Sequence, residues 1–124
     1  MEGSPKPCYP GRIWNLLVGA SWEGYVIEQI RQLKNSVHDI YYYRTQNGAE
    51  SDLVLVGGLK PMACIEIKYS NSPVVSKGFF NCIQDLNTQK NYIITPNSEF
   101  YPLKEGVFVT SLVYFLSNIL KNLD

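Results

Sequence analysis

The chain has 124 residues, 45% of them hydrophobic and 13% aromatic, with eleven Lys plus Arg set against eleven Asp plus Glu for a formal net charge of zero. That balance describes one globular domain with a single core and excludes a disordered polypeptide, a collagen-like repeat and a strongly basic nucleic-acid-binding surface. No stretch of about eighteen apolar residues occurs, so no membrane helix is expected, and MEGSPKPCYPGR at the start lacks the apolar run of a secretory signal. Cys8, Cys64 and Cys82 are odd in number and widely spaced, and His38 is the one histidine. They argue against structural zinc or a disulfide framework and for reduced thiols in a cytoplasmic protein.

Pro5, Pro7, Pro10 and Gly11 make residues 1–11 an extended linker or tail, leaving 12–124 as the single domain. Over 21–34, Trp22, Tyr25, Val26, Ile30 and Leu33 recur at helical spacing, with Ser21 as N-cap. Strands are predicted over 38–45, which contains Tyr41-Tyr42-Tyr43, over 51–56 (SDLVLV) and over 62–69 (MACIEIKY), the last two joined through Gly57-Gly58. Phe79, Phe80, Ile83 and Leu86 space out a second helix. Short strands follow over 91–95 and 106–109, and Thr110 caps a final helix striped by Leu112, Phe115, Leu116, Ile119, Leu120 and Leu123. The order α-β-β-β-α-β-β-α predicts an α/β domain, a mixed sheet with helices on both faces.

Four charged residues interrupt the strands: Glu50 and Asp52 entering one, Glu66 and Lys68 inside another. Side chains alternate along a strand, so Glu66 and Lys68 share the face opposite Ile65 and Ile67. Taken alone, such a pair reads as a solvated ion pair on an exposed face. The first helix adds a third acid. On a helical wheel Glu23 lies roughly 65° from the centre of the apolar stripe and Glu28 roughly 155° away, which directs Glu23 to the core boundary and Glu28 to water. A carboxylate at that boundary needs a partner or a cation. Three carboxylates and a lysine around one point would hold magnesium or manganese through oxygen ligands, with Lys68 orienting or activating water and stabilising developing phosphate charge.

A helix Glu followed by xD and ExK on consecutive strands resembles the PD-(D/E)xK nuclease superfamily, as in Holliday-junction resolvases and restriction endonucleases. The longer segments GASWEGYVIEQI, YYYRTQNGAESDLVLV, IEIKYS, SKGFFNCIQDLN and YPL-x-EGV resemble the uncharacterised C-terminal domain of prokaryotic AAA-type ATP-binding proteins, over about residues 12 to 120. The resemblance implies a restriction-endonuclease-like fold, a magnesium-dependent activity on DNA and an upstream P-loop ATPase domain. This chain has no G-x-x-x-x-G-K-[ST], so it is expected to be an excised or separately encoded C-terminal module. Carried across by residue, Glu23 takes the first-helix acidic position, Asp52 the metal-binding aspartate, and Glu66 and Lys68 the ExK. Glu50 matches a further acidic position. Arg44 matches the YRT element, where it contacts a phosphate or pairs with Glu50. Ser51 stands where relatives commonly carry an apolar residue.

The hairpin supplies a geometric condition. A two-residue Gly57-Gly58 turn would set Asp52 opposite Ala63 and put Asp52 and Glu66 on opposite faces. An odd-length loop or a bulge restores a common face, and a five-residue loop from Gly57 to Pro61 would place Asp52 opposite Glu66 and take Pro61 out of the ladder. Elsewhere His38 reads as a surface or boundary residue, and Cys64 has no base to make it a nucleophile. The tyrosine run reads as core on one side and cover on the other, in preference to a base-stacking surface. Lys77, Gln84 and Lys90 flank the second helix as surface residues beside a potential phosphate path. The leading expectation is a metal-dependent nuclease domain. Its rivals are a non-catalytic module that uses the same fold to bind a partner or regulate the attached ATPase, favoured by the zero net charge, and a subunit-interaction domain, which would show an exposed apolar patch.

Overall fold

The computed structural model describes residues 11–70 and 72–123, with side chains from residue 20 onward. Most of the expected tail lies outside the described residues. Helix α1 (Gly11–Leu33) begins ten residues before Ser21. Residues 12–20, RIWNLLVGA, hold no proline to stop a helix, so Ser21 is an interior, exposed residue and not a cap. Among the described residues no helix is long and apolar enough to cross a membrane.

After α1 come β1 (His38–Arg44), β2 (Glu50–Gly57), β3 (Lys60–Ile67), α2 (Lys77–Leu86), β4 (Asn91–Thr95), β5 (Tyr101–Lys104) and β6 (Val107–Ser111). Helix α3 (Leu112–Tyr114) closes the fold and runs on as a π-helical stretch (Phe115–Ile119) and a 3-10 turn (Leu120–Asn122). The six strands form one mixed sheet in the order β1-β2-β3-β4-β6-β5. Neighbours are antiparallel at β1/β2, β2/β3 and β5/β6, and parallel at β3/β4 and β4/β6. The α/β prediction holds, with one strand more than expected. β5 is four residues long, lies at the sheet edge and contains Pro102, which weakens its strand signal.

Two apolar layers sandwich the sheet. Val26 and Ile30 of α1 pack with Phe115 and Leu120 over Leu53, Leu55, Ile65 and Ile94. On the opposite face Phe79 and Cys82 of α2 cover Val54, Cys64, Ile93 and Val109. Helix α2 is capped by Ser76, whose Oγ accepts from the Phe79 N–H at 3.1 Å. Its first turn lies so close to the β1–β2 turn that a Cβ on Gly78 would sit 2.8 Å from the Gly48 carbonyl oxygen and 3.3 Å from Glu50 Cγ. At the other helix, Ser111 and not Thr110 is the N-cap, accepting from the Tyr114 N–H. Thr110 is fully buried, and its hydroxyl donates to the Ser111 carbonyl.

The β2–β3 connection is a two-residue turn at Gly58-Leu59, one residue beyond the glycine pair. Both residues have positive φ, 59° and 72°, as a type I′ hairpin turn requires. Gly57 pairs with Lys60 and Val56 with Pro61, after which Leu55 pairs with Ala63, leaving Met62 as the extra residue of a bulge. The bulge, not a five-residue loop, shifts the register, and Pro61 stays opposite Val56. Two side-chain expectations change. His38 is buried, with its Nδ1 unpaired among the described residues. Tyr41 and Tyr42 are 57% and 63% exposed, because β1 is an edge strand and only Tyr43 packs into a core.

Candidate functional site

The site lies where β2 and β3 part. Their pairing runs from Gly57↔Lys60 to Leu53↔Ile65, and the same register carried one step further sets Asp52 across from Glu66. The ladder does not continue there. Side chains hold the strands there: Asp52 Oδ2 accepts the Ile67 N–H at 2.8 Å, and Ser51 Oγ, within 2.9 Å of both the Leu53 and Ile65 carbonyl oxygens, shares its one proton between them. A second irregularity lies on the other side of β2, where Tyr41 pairs with Val54 but Tyr43 pairs with Ser51, so Asp52 and Leu53 together oppose Tyr42. Bulges of this kind re-aim side chains and interrupt pairing beside functional sites.

Glu66 is buried to 8% exposure and held from two directions. Lys68 Nζ lies 2.7 Å from Oε2, and Ser76 Oγ donates to Oε1 at 3.3 Å. The sequence reading did not single out Ser76. Its signal was available, because a serine three residues before Phe79 at the start of an amphipathic segment is an N-cap position. Lys68 is the outlet side of the pair and only half-buried. Its backbone carbonyl accepts the Trp22 indole N–H at 3.0 Å, which ties α1 to the end of β3 and brings the next helix residue, Glu23, to the same place. As the wheel predicts, Glu23 is half-buried and Glu28 is exposed.

Burial pushes the Asp52 carboxyl above its ordinary value despite the Ile67 N–H and the Lys68 charge. Burial also lifts Glu66; its bond to Lys68 opposes the rise and the charge of Asp52 adds to it. Glu23 is raised by burial and by Asp52, with Lys68 acting against. For Lys68 burial acts downward, but Glu66, Asp52 and Glu50 outweigh it and the ammonium is held above its ordinary value. The acids are thus short of positive charge while the one lysine among them is well supplied with negative charge. Arg44 pairs with Glu50 at 3.4 Å, both largely exposed, which realises the ion-pair alternative for Arg44 and leaves the inner acids unrelieved.

Asp52 and Lys68 are common to both halves of the cluster. Glu66 belongs to the α2 side and Glu23 to the α1 side. The oxygen donors suit a hard divalent ion, which is commonly held by one or two carboxylates with waters and substrate oxygens completing its shell. Asp52 and Glu66 fit that role as a pair. Among the described residues no three His, Cys, Asp or Glu side chains gather closely enough to form a metal-holding group, so Glu23 does not close a three-carboxylate cage with them. On the α1 side Asp52 and Glu23 also line a cavity of about 240 Å³ together with Ile27, Arg31, Ile40, Tyr41, Tyr42 and Leu53.

Fold and site together define a mixed α/β domain that carries a buried glutamate, a half-buried aspartate and a lysine where two central strands separate. The chain belongs to the family described as a domain of unknown function, DUF4143, which matches residues 18–115. It is 36% identical over 93 residues to an uncharacterized protein of Mycobacterium tuberculosis and, to the same extent, to an uncharacterized protein of Mycobacterium bovis. Those matches cover 75% of this chain and 21% of each relative, so the chain spans about a fifth of their length. No solved structure matches it.

Proposed function

We propose that this domain is a nuclease-like module of restriction-endonuclease-like architecture that acts on DNA phosphodiesters with magnesium or manganese. In the full-length protein it would follow an AAA-type ATPase domain in the cytoplasm. The observation that supports the reading is the Glu66–Lys68 pair at 2.7 Å just beyond the last β2–β3 pair, Leu53↔Ile65, with the charge of Asp52 near enough to raise Glu66 and burial holding both acids above their ordinary values. Charge short of compensation in a half-enclosed site is what a bound cation relieves.

Asp52 and Glu66 are the metal-holding residues of this reading, and Glu23 acts from the margin through water. A bound ion would supply Lewis-acid stabilisation of phosphate charge and a more acidic water. Lys68 does the rest from the chain itself: held protonated, it orients the attacking water and neutralises charge that develops on the phosphate. Ser76 fixes the Glu66 carboxylate, and Trp22 fixes the end of β3 that bears Lys68. Glu50 and Arg44 support the rim. The length of the relatives leaves room for an ATPase domain beside this module.

The test is calorimetric titration of magnesium and manganese into the wild-type chain and an Asp52→Ala/Glu66→Ala variant, with cleavage assays on branched, single-stranded and duplex DNA. Metal binding and cleavage that both vanish in the variant support the reading. Wild-type protein that binds no metal even with DNA present, and cleaves nothing, overturns it in favour of a non-catalytic module for partner binding or regulation of the ATPase. The zero net charge and the lack of a three-donor group among the described residues favour that second reading.

A further inference from the structure

We infer that the cavity between α1 and β1 is a nucleobase subsite, in which Tyr42 stacks an unpaired base next to the carboxylate cluster, so that the domain selects single-stranded or locally unpaired DNA. The inference rests on the nuclease reading for its substrate chemistry and adds how that substrate is held. Ile40 and Tyr42 alternate along β1 on the face that looks toward α1, and Ile40 joins the core there. Tyr42, one step beyond that core, is 63% exposed and opposes the irregular Asp52-Leu53 step of β2. Asp52 and Tyr42 therefore line one cavity because the bulge brings them together.

The cavity chemistry suits a base more than a backbone. Its volume of about 240 Å³ falls below the roughly 300–1,000 Å³ of drug- or cofactor-sized pockets, which fits one ring system rather than a dinucleotide. Arg44 lies over the Tyr42 ring at 5.5 Å and stiffens it as a platform. Arg31, at the rim, pairs with Glu28 at 3.3 Å in an exposed ion pair that costs little to break, so it can turn to meet a base edge or a phosphate. Next to Glu23 on α1, the half-buried Trp22, bonded to the Lys68 carbonyl, contacts the exposed rings of Tyr25 and Tyr69 and adds a second aromatic group near the cluster. A neutral chain gains little affinity from releasing counterions, whereas base–aromatic stacking supplies about 1–3 kcal/mol per base without net charge.

The experiment measures binding of the 124-residue chain to a fluorescent twelve-nucleotide oligothymidylate by anisotropy, in EDTA so that nothing is cleaved. Parallel probes are the same strand with abasic sites replacing its central bases and a duplex of equal length. Tight binding to the intact strand, loss on the order of tenfold with the abasic strand, and a matching loss for Tyr42→Ala that Tyr42→Trp restores are expected. The logarithmic salt slope should correspond to only about one or two phosphates. Equal affinity for intact and abasic strands, or an unchanged Tyr42→Ala protein, overturns the subsite. Cleavage of the same strands in manganese is read separately. Base-dependent binding without cleavage upholds the subsite and removes the nuclease reading, and cleavage indifferent to the abasic lesion does the reverse.

Discussion

Asp52 has two roles that one pair of substitutions separates. It accepts the Ile67 N–H where the ladder stops, and it holds negative charge beside Glu66 and Glu23. Asp52→Asn keeps an acceptor oxygen and removes the charge. Burial lifts the Asp52 carboxyl above its ordinary 3.8 and lifts Glu66 and Glu23 above their ordinary 4.5, with the charge of Asp52 adding to both. The folded state therefore binds these protons more tightly than the unfolded chain. Stability on their account is fully present below the ordinary values and falls as pH rises toward the raised ones. The asparagine variant should be more stable than wild type near neutral pH and lose that advantage as pH falls through the raised value of Asp52 to its ordinary 3.8 and below.

The rise of Asp52 is net of its attraction to Lys68, so the asparagine variant gains on wild type as pH rises, in the direction that burial sets. Asp52→Ala also removes the acceptor, and an N–H left unpaired costs about 1–3 kcal/mol, so alanine should fall below asparagine by that amount at every pH. Urea unfolding between about pH 3.5 and 7 reads both offsets as midpoint changes at constant slope. An asparagine variant less stable than wild type at neutral pH, or an offset that does not change with pH, would refute the argument that this site stores uncompensated charge.

Two further perturbations probe how α2 supports the site. Gly78→Ala would force a Cβ to within 2.8 Å of the Gly48 carbonyl oxygen, so α2 must shift from the β1–β2 turn; denaturation should show a loss of about 1–3 kcal/mol, and hydrogen exchange should rise in β1 and β2 near that turn. Ser76→Ala should lose about 1 kcal/mol from the α2 cap, with a larger loss at neutral pH than near pH 4, because ionised Glu66 also loses a hydrogen-bond donor.

The chemistry-bearing positions were legible because strand alternation and helical periodicity are local properties. The wheel put Glu23 at a boundary, and ExK in MACIEIKY put Glu66 and Lys68 together, as the 2.7 Å pair does. Register was legible only as a condition. The glycine pair marked a turn, but its position at Gly58-Leu59 and the Met62 bulge depend on how the two strands pack. Exposure of the tyrosines was not legible, because whether a strand is central or at an edge is decided by the order β1-β2-β3-β4-β6-β5, which no local pattern encodes. The early start of α1 was missed for a plainer reason: Ser21 is a good cap residue inside a helix that had already begun.

Ser51 shows how the remaining gap between sequence and site closes. In the sequence it looks like a polar residue of little consequence for the chemistry. In the structure it is 2% exposed, and its hydroxyl lies 2.9 Å from both the Leu53 and Ile65 carbonyls. Next to it Asp52 satisfies the Ile67 N–H. Ser51 thus braces the last ladder pair and Asp52 takes the next free N–H, so the end of the β2–β3 ladder is closed by hydrogen bonds and is not a frayed end. An apolar residue at 51 would remove the side-chain bridge to Ile65 and leave the Asp52–Ile67 bond to hold the strands together past their last pair, Leu53↔Ile65. The position of Asp52 therefore depends on its neighbour's hydroxyl as well as on its own bond to Ile67.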